Sequence, residues 1–142
     1  LSREEIDLWL QGASIALESS FGYGSSLSVE VSWPTGATWS IDFVDAAGIR
    51  VFTLRFVQDT IILENSKDQS SLTDAALHDG RKWLTINVER DGYDVFIGNA
   101  LIGRLAHEGS PYSIHSISID ASNVELCAYR MVLKHGTQDG KF

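Results

Sequence analysis

The sequence lacks several features that define large classes of protein. It has a single cysteine, Cys127, so neither an intrachain disulfide nor a CxxC redox or zinc pattern can form. No apolar run approaches the ~18 residues that a membrane-spanning helix needs. Lys and Arg number 11 against 19 Asp and Glu, and the formal net charge of -8 opposes binding to nucleic acid or anionic lipid. We therefore expect neither nucleic-acid binding nor insertion into a membrane.

Motifs for catalysis and for metal binding are missing as well. The chain contains no G-x-S-x-G elbow, no H-E-x-x-H pair, no P-loop and no calcium-loop spacing. Its histidines stand far apart in the sequence, and none has a second His or Cys at the spacing of metal ligands. We expect a non-enzymatic protein that holds no cofactor and no metal.

The chain has the composition of an ordinary globular domain. At 142 residues, with 44% hydrophobic and 21% charged residues, it can bury a core of its own, and we predict one domain over residues 1–142. Ser2 and Glu5 have the spacing of a capping box, and Ile6, Trp9 and Leu10 follow at helical intervals. Residues 1–12 are therefore predicted to form a short helix or an N-terminal extension. The chain begins at Leu1 without a signal peptide, as expected of an excised domain, and its compartment stays open.

After Gly12 the apolar residues recur with a period of 2, which is typical of β-strands. Predicted strands are Ser14 to Ser19, Ser26 to Trp33, Trp39 to Asp45, Ile49 to Val57, Thr60 to Asn65, Trp83 to Glu89, Tyr93 to Ile97, Leu101 to Ala106, His115 to Asp120 and Val124 to Leu133. Short strands about ten residues apart, with no helices between them, indicate an antiparallel sandwich or barrel. The segment Ser66 to Lys82 has no clear period and is predicted to be an extended loop or a poorly formed edge strand.

Residues 83–97 have the pattern of a β-hairpin. Leu84, Ile86 and Val88 alternate with Trp83, Thr85 and Asn87, and Tyr93, Val95 and Ile97 alternate with Asp94 and Phe96. Asp91-Gly92 suits the turn because both residues tolerate the positive φ of a primed turn. We predict that the outward residues Trp83, Asn87 and Phe96 bind a partner. The alternative is that the loop 66–82 or the N-terminal helix covers both aromatic rings.

From Trp83 to Leu126 the chain resembles the second half of a galectin-type carbohydrate-recognition domain. The matching features are the hairpin Trp83 to Ile97, the run Leu101 to His107, and the ending Ile117-Ser118-Ile119-Asp120-x-x-x-Val124-x-Leu126. Upstream, Trp39 to Asp45, Ile49 to Val57 and Thr60 to Asp68 fall where galectins place the strands that carry the sugar. The resemblance implies a jelly-roll-like sandwich of two antiparallel sheets, non-enzymatic and without a metal.

The galactoside signature of galectins is largely replaced in this sequence. Galectins place His, Asn and Arg at alternate outward positions of one strand, then an Asn, and a Trp about seven residues later. Here the strand offers Thr53 and Arg55, Asn65 matches the family's Asn, and Leu72 stands at the Trp position. The resemblance therefore implies that ordinary galactoside binding is lost, because the ring that covers the apolar face of galactose is missing.

Among galectin-like domains with such a loss, the chain is similar to the galectin-like C-terminal domain of a secreted apicomplexan microneme adhesin. This likeness implies a secreted or microneme protein whose domain binds an EGF-like domain of a membrane-anchored partner. Two alternatives stay open. One is a lectin of altered specificity that binds carbohydrate weakly, and the other is a structural domain of the cytosol.

Overall fold

The computed structural model describes residues 2–7, 14–17, 21–33, 38–58, 60–73, 81–120 and 127–136. Within these ranges the strands are β1 Ser2–Asp7, β2 Ser14–Ala16, β3 Ser26–Ser32, β4 Thr38–Asp45, β5 Arg50–Val57, β6 Thr60–Glu64, β7 Gln69–Thr73, β8 Lys82–Val88, β9 Gly92–Ile97, β10 Ala100–Ala106, β11 Ile114–Asp120 and β12 Cys127–His135. One 3₁₀ turn, Pro111–Ser113, precedes β11. No helix in the described ranges is long and apolar enough to cross a membrane.

In the described part of the chain, the strands form two antiparallel sheets of six strands each. The first sheet has the order β1-β12-β3-β8-β9-β10, and the second sheet has the order β2-β11-β4-β5-β6-β7. Neighbours such as β3 and β12 are distant in sequence, so the chain passes repeatedly between the two sheets. The prediction of a jelly-roll-like sandwich of two antiparallel sheets is confirmed.

The core lies between the sheets and follows from the alternation of side chains. In β3, Leu27, Val29 and Val31 are fully buried, while the residues between them are only partly buried. Aromatic rings from both sheets meet in the interior: Phe52 of the second sheet stacks on Tyr93 of the first at 4.2 Å between centroids. The inward faces of both sheets thus form the packed core. A ligand can bind only on the outward faces or at the sheet edges.

The hairpin of β8 and β9 is confirmed, but its turn differs from the expected one. The Glu89 N–H donates to the Gly92 carbonyl oxygen at 2.8 Å, so Arg90 and Asp91 occupy the centre of the turn. Neither Asp91 nor Gly92 has a positive φ, and the explanation by a primed turn is wrong. Gly92 is required for another reason, since a Cβ there would lie 2.2 Å from the carbonyl oxygen of Leu105 on β10.

The predicted N-terminal helix is wrong over the residues that the structure describes. Ser2–Asp7 forms β1 and pairs with β12 from Ser2↔His135 to Asp7↔Arg130. A helix of one or two turns is marginal by itself, whereas the edge of β12 provides backbone hydrogen-bond partners for the whole segment. Trp9 and Leu10 lie outside the described residues.

The weakly patterned segment Ser66 to Lys82 contains the edge strand β7, Gln69–Thr73. One of its two predicted states, an edge strand, is therefore confirmed for those residues, while residues 74–80 lie outside the description. The predicted strand from Val124 to Leu133 is described from Cys127 and extends to His135. The strand predicted over Ser14 to Ser19 is described only as Ser14–Ala16, and Glu18 and Ser19 lie outside the described residues.

Candidate functional site

The outward face of the second sheet contains a polar cleft of about 340 Å³. It is lined by Thr38, Trp39, Ser40, Asp42, Arg50, Thr53, Arg55, Glu64 and Asp120. The strand register explains the grouping, because Ser40 lies directly across from Arg55 and Asp42 lies directly across from Thr53. Small hydroxyl side chains therefore lie between the charged ones on β4 and β5.

Among the residues that the structure describes, no exposed aromatic ring lines the polar cleft. Of its lining residues only Trp39 is aromatic, and that residue is 2% exposed. Its ring stacks on Phe56 inside the sandwich, with centroids 4.0 Å apart and planes 5° apart. The cleft can donate and accept hydrogen bonds, but its described lining provides no ring on which the apolar face of a sugar could stack.

The charged groups of the cleft are mostly paired with one another. Arg55 donates to both carboxylate oxygens of Glu64, from Nε at 3.1 Å and from Nη2 at 3.3 Å. Arg50 Nε lies 3.6 Å from Asp42 Oδ2. Asp42 is 5% exposed, and its Oδ1 has no hydrogen-bond partner among the described residues. One buried acceptor of the cleft is thus left unsatisfied, which is costly in a folded protein.

Two of the four predicted sugar-site positions line this cleft and two do not. Thr53 and Arg55 line the cleft, as expected from the alternation of β5. Leu72 pairs with Ile61, which is 1% exposed, so the Leu72 side chain points toward the interior. Counting seven positions from Asn65 therefore does not reach the outward face. Ser71 and Thr73, the neighbours of Leu72, point outward, and neither has an aromatic ring.

Asn65 is engaged in holding a turn together rather than lining the cleft. Its Oδ1 accepts hydrogen bonds from the backbone N–H groups of Lys67 at 3.0 Å and Asp68 at 2.8 Å. Its Nδ2 donates to the carbonyl oxygen of Ala106, at the end of β10, at 3.1 Å. The amide thus fixes the turn between β6 and β7 and ties it to the first sheet.

The outward face of the first sheet carries an apolar patch formed by Trp83, Phe96 and Leu101, here called the Trp83 patch. Phe96 lies directly across from Leu101 on β10 and from Thr85 on β8, and Trp83 lies diagonal to Phe96. Trp83 is 36% exposed and Leu101 is 44% exposed, while Phe96 is partly buried. The aromatic residues are therefore not completely covered. Sequence analysis missed Leu101, although its distance from the turn at Gly98 and Asn99 places it opposite Phe96.

Polar groups surround the Trp83 patch. Arg104 pairs with Asp94 at 3.1 Å, and Arg81 lies 3.9 Å from Glu30. Asn87 points to the same side of the sheet and is also diagonal to Phe96, but it lies on the far side of Thr85 from Trp83, about 13 Å from Trp83 along β8. The structure thus places Phe96 between Trp83 and Asn87 on one face, with Asn87 among the polar groups that border the patch. In the described ranges no three His, Cys, Asp or Glu side chains gather into a group that could hold a metal ion.

Comparison with known proteins shows the fold. The sequence matches no protein-family model and no curated protein sequence. The structure is similar to galectin LEC-6 of Caenorhabditis elegans, with a TM-score of 0.76 and 11% identity over 92% of this chain and 96% of that one. Sheep galectin-11 in complex with glycerol has a TM-score of 0.68 and 14% identity, over 84% of this chain and 100% of that one. A variant of human galectin-16 has a TM-score of 0.76 and 14% identity, over 92% of this chain and 100% of that one. The class that these likenesses define is a galectin-like β-sandwich.

Proposed function

We propose that this galectin-like domain is a non-enzymatic protein-interaction module that has lost galactoside binding. The observation that carries the proposal is the exposure of Trp83 and Leu101, at 36% and 44%, around Phe96 on one sheet face. Exposed aromatic side chains inside a polar rim are typical of the energetic centres of protein interfaces. The resemblance in sequence to microneme adhesins suggests an EGF-like domain of a membrane-anchored adhesin as the partner, and a secretory organelle as the place where the two meet.

The composition of the polar cleft supports the proposed loss of galactoside binding. Recognition of galactose needs a ring against its apolar face and polar groups that are free to bind its hydroxyls. In the cleft the Trp39 ring packs inside the sandwich, and the Arg55 guanidinium is held by both oxygens of Glu64. A galactoside would have to break that pair, and the described lining of the cleft would offer it no exposed ring in return.

We expect lactose to leave the thermal stability of the protein unchanged. A ligand that binds only the native state stabilises it by RT ln(1 + [L]/Kd), so ~10 mM lactose at a site of ~1 mM Kd would add about 1.4 kcal/mol. Thermal unfolding with lactose and with sucrose, the second sugar serving as a control for solvent effects, measures this difference. A shift of a few degrees that is specific to lactose would contradict the loss of the galactoside site.

Replacing Trp83 or Phe96 by Ala is expected to weaken partner binding by roughly 2 kcal/mol, because these rings form the centre of the patch. Titration of each variant with a panel of isolated EGF-like domains measures the loss. Ile49→Ala is the matched control, since Ile49 is 64% exposed at the turn between β4 and β5, outside the Trp83 patch.

The stability of the same variants separates an interface from a structural role. If the patch binds a partner, each variant keeps most of its free energy of unfolding and loses affinity. A variant that unfolds easily but binds with unchanged affinity per folded molecule would contradict the proposal. Equal losses of affinity for Ile49→Ala and Trp83→Ala would contradict it as well.

A lectin of altered specificity is the second candidate, and the polar cleft favours it. Asp42 Oδ1 has no hydrogen-bond partner among the described residues, and the hydroxyl groups of Thr38, Ser40 and Thr53 could bind a polyol. The structure of sheep galectin-11 with glycerol shows that a galectin can hold a small polyol. A glycan that binds the protein and the Trp83→Ala variant equally, but not Asp42→Asn, would favour this candidate over the first.

A further inference from the structure

The edge strands of the two sheets differ in how they are protected against additional strands. An edge strand exposes unpaired backbone N–H and C=O groups, and proteins usually protect it with charge, with a β-bulge or by making it very short. β1 carries four charged residues in its six, SREEID, and β2 has 3 residues. β10 has a bulge between Leu101 and Gly103. β7, with the sequence QSSLT, has no charge, proline, glycine or register shift.

The hydrogen bonds of the β6–β7 hairpin show which backbone groups of β7 point outward. The Asn65 N–H donates to the Asp68 carbonyl oxygen at 3.1 Å. Since bonded and non-bonded pairs alternate in antiparallel strands, Ser70 and Leu72 bond to β6, whereas Gln69, Ser71 and Thr73 point away from it. The Gln69 N–H agrees with this assignment, because it donates to the Asp68 side chain at 2.8 Å instead of to β6. In the described part of the chain, no strand pairs with β7 on its outer side.

We propose that β7 is a docking edge at which an extended segment of a partner protein adds as a further strand of the second sheet. The backbone groups of Ser71 and Thr73 would supply the hydrogen bonds, which is how strand addition obtains its affinity. Leu72 is only partly buried at this edge. Apolar side chains at alternate positions of the added strand would cover it and continue the interior of the sandwich.

The charge around β7 selects the kind of segment that fits. Asp68 directly precedes the uncharged strand, and the chain as a whole is acidic. A segment with lysine or arginine at both ends and uncharged residues between them is complementary to this acidic charge, whichever of its ends faces Asp68. A second copy of the chain is a poor occupant, since each copy has a formal net charge of -8. The proposal does not depend on the Trp83 patch, which lies on the other sheet.

The test uses a synthetic peptide with lysine at both ends and alternating threonine and valine between them, titrated into the isotope-labelled protein. We expect saturable shifts of the Ser71 and Thr73 amide resonances and slower hydrogen exchange at both. Ser71→Pro removes an outward N–H without removing a bond to β6, and should weaken binding about tenfold or more. Ser71→Ala keeps the N–H and should bind like the unchanged protein. If Ser71→Pro does not fold, Thr73→Pro removes the other outward donor.

Several outcomes would overturn the proposal. Slow exchange of the Ser71 amide in the protein without peptide would show that the edge is already covered. Equal binding of the peptide by Ser71→Pro and Ser71→Ala would show that it binds elsewhere. Equal affinity for a peptide with glutamate at both ends would remove the argument from charge. A dimer in sedimentation experiments that Ser71→Pro abolishes would identify a second copy as the occupant.

Discussion

Trp39→Ala is expected to lower the free energy of unfolding by about 3–5 kcal/mol. Trp39 is 2% exposed. Its ring stacks on the Phe56 ring with 4.0 Å between the centroids, and the centroid of the Trp33 ring lies 5.3 Å away. Truncation at this position removes one of the largest buried side chains and leaves a cavity between the sheets. Because Trp39 also contributes to the polar cleft, the cleft should lose its shape together with the core beneath it.

Urea denaturation of the variant, followed by circular dichroism, measures this loss. Trp83→Ala is the matched control, because the same residue type is replaced on the outward face, where the side chain is 36% exposed. We expect this control to cost about 1 kcal/mol. Equal losses in the two variants would mean that Trp83 also belongs to the core, and the Trp83 patch could then not serve as an interface.

Raising the pH above 10 is expected to destabilise the protein through Tyr93. Its ring is 1% exposed, stacks on Phe52 at 4.2 Å and meets the His107 ring edge-on at 4.6 Å. The hydroxyl group has no hydrogen-bond partner among the described residues. Burial therefore raises the pKa of Tyr93 well above its usual value, and the neighbouring Tyr23 raises that pKa further.

The direction of the effect follows from the protons bound in each state. In the unfolded chain Tyr93 ionises near pH 10, its ordinary pKa, whereas in the folded protein it keeps its proton to higher pH. Below pH 10 Tyr93 is protonated in both states, and its contribution to stability is complete. Above pH 10 the folded state binds more protons than the unfolded state. The free energy of unfolding should then fall by about 1.4 kcal/mol for each pH unit above 10, until the folded protein also loses the proton.

Urea denaturation at several pH values between 8 and 12 measures this decline, and Tyr93→Phe isolates the contribution of one residue. The variant should lose stability more slowly with pH, since its other ionisable groups are unchanged. At neutral pH it should be as stable as the original protein or more stable, because a buried hydroxyl without a partner is removed. An identical alkaline decline in both proteins would assign the effect to other groups.

The polar cleft and the Trp83 patch were predictable from the sequence to different extents. Alternation along β5 places Thr53 and Arg55 on one face, and alternation along β8 and β9 does the same for Trp83 and Phe96. The partners of these residues were not predictable. Glu64 reaches Arg55 because β6 pairs with β5 in a particular register, and Asp42 comes from β4 on the other side. Whether an arginine is free to bind a ligand depends on such neighbours.

The positions Asn65 and Leu72 show the limit of counting along the chain. The offset of seven positions between them says nothing about the face on which Leu72 lies. The tight turn at Ser66 and Lys67 sets the register in which β7 pairs with β6. In that register Leu72 pairs with Ile61, so the Leu72 side chain points inward. A shift of one residue in register would have reversed that direction.

Periodicity, turn-forming residues and composition were sufficient to establish a chain of antiparallel strands with one apolar face, because each of these properties acts between neighbours in the sequence. They were not sufficient for residues 2–7, where helical spacing and a capping box are present but the segment pairs as β1 with the distant β12. The hydrogen bonds that β12 offers exist only after the two ends of the chain have come together. The strand order, the edges and the exposure of Trp83 depend on the same long-range closure, and no local pattern encodes them.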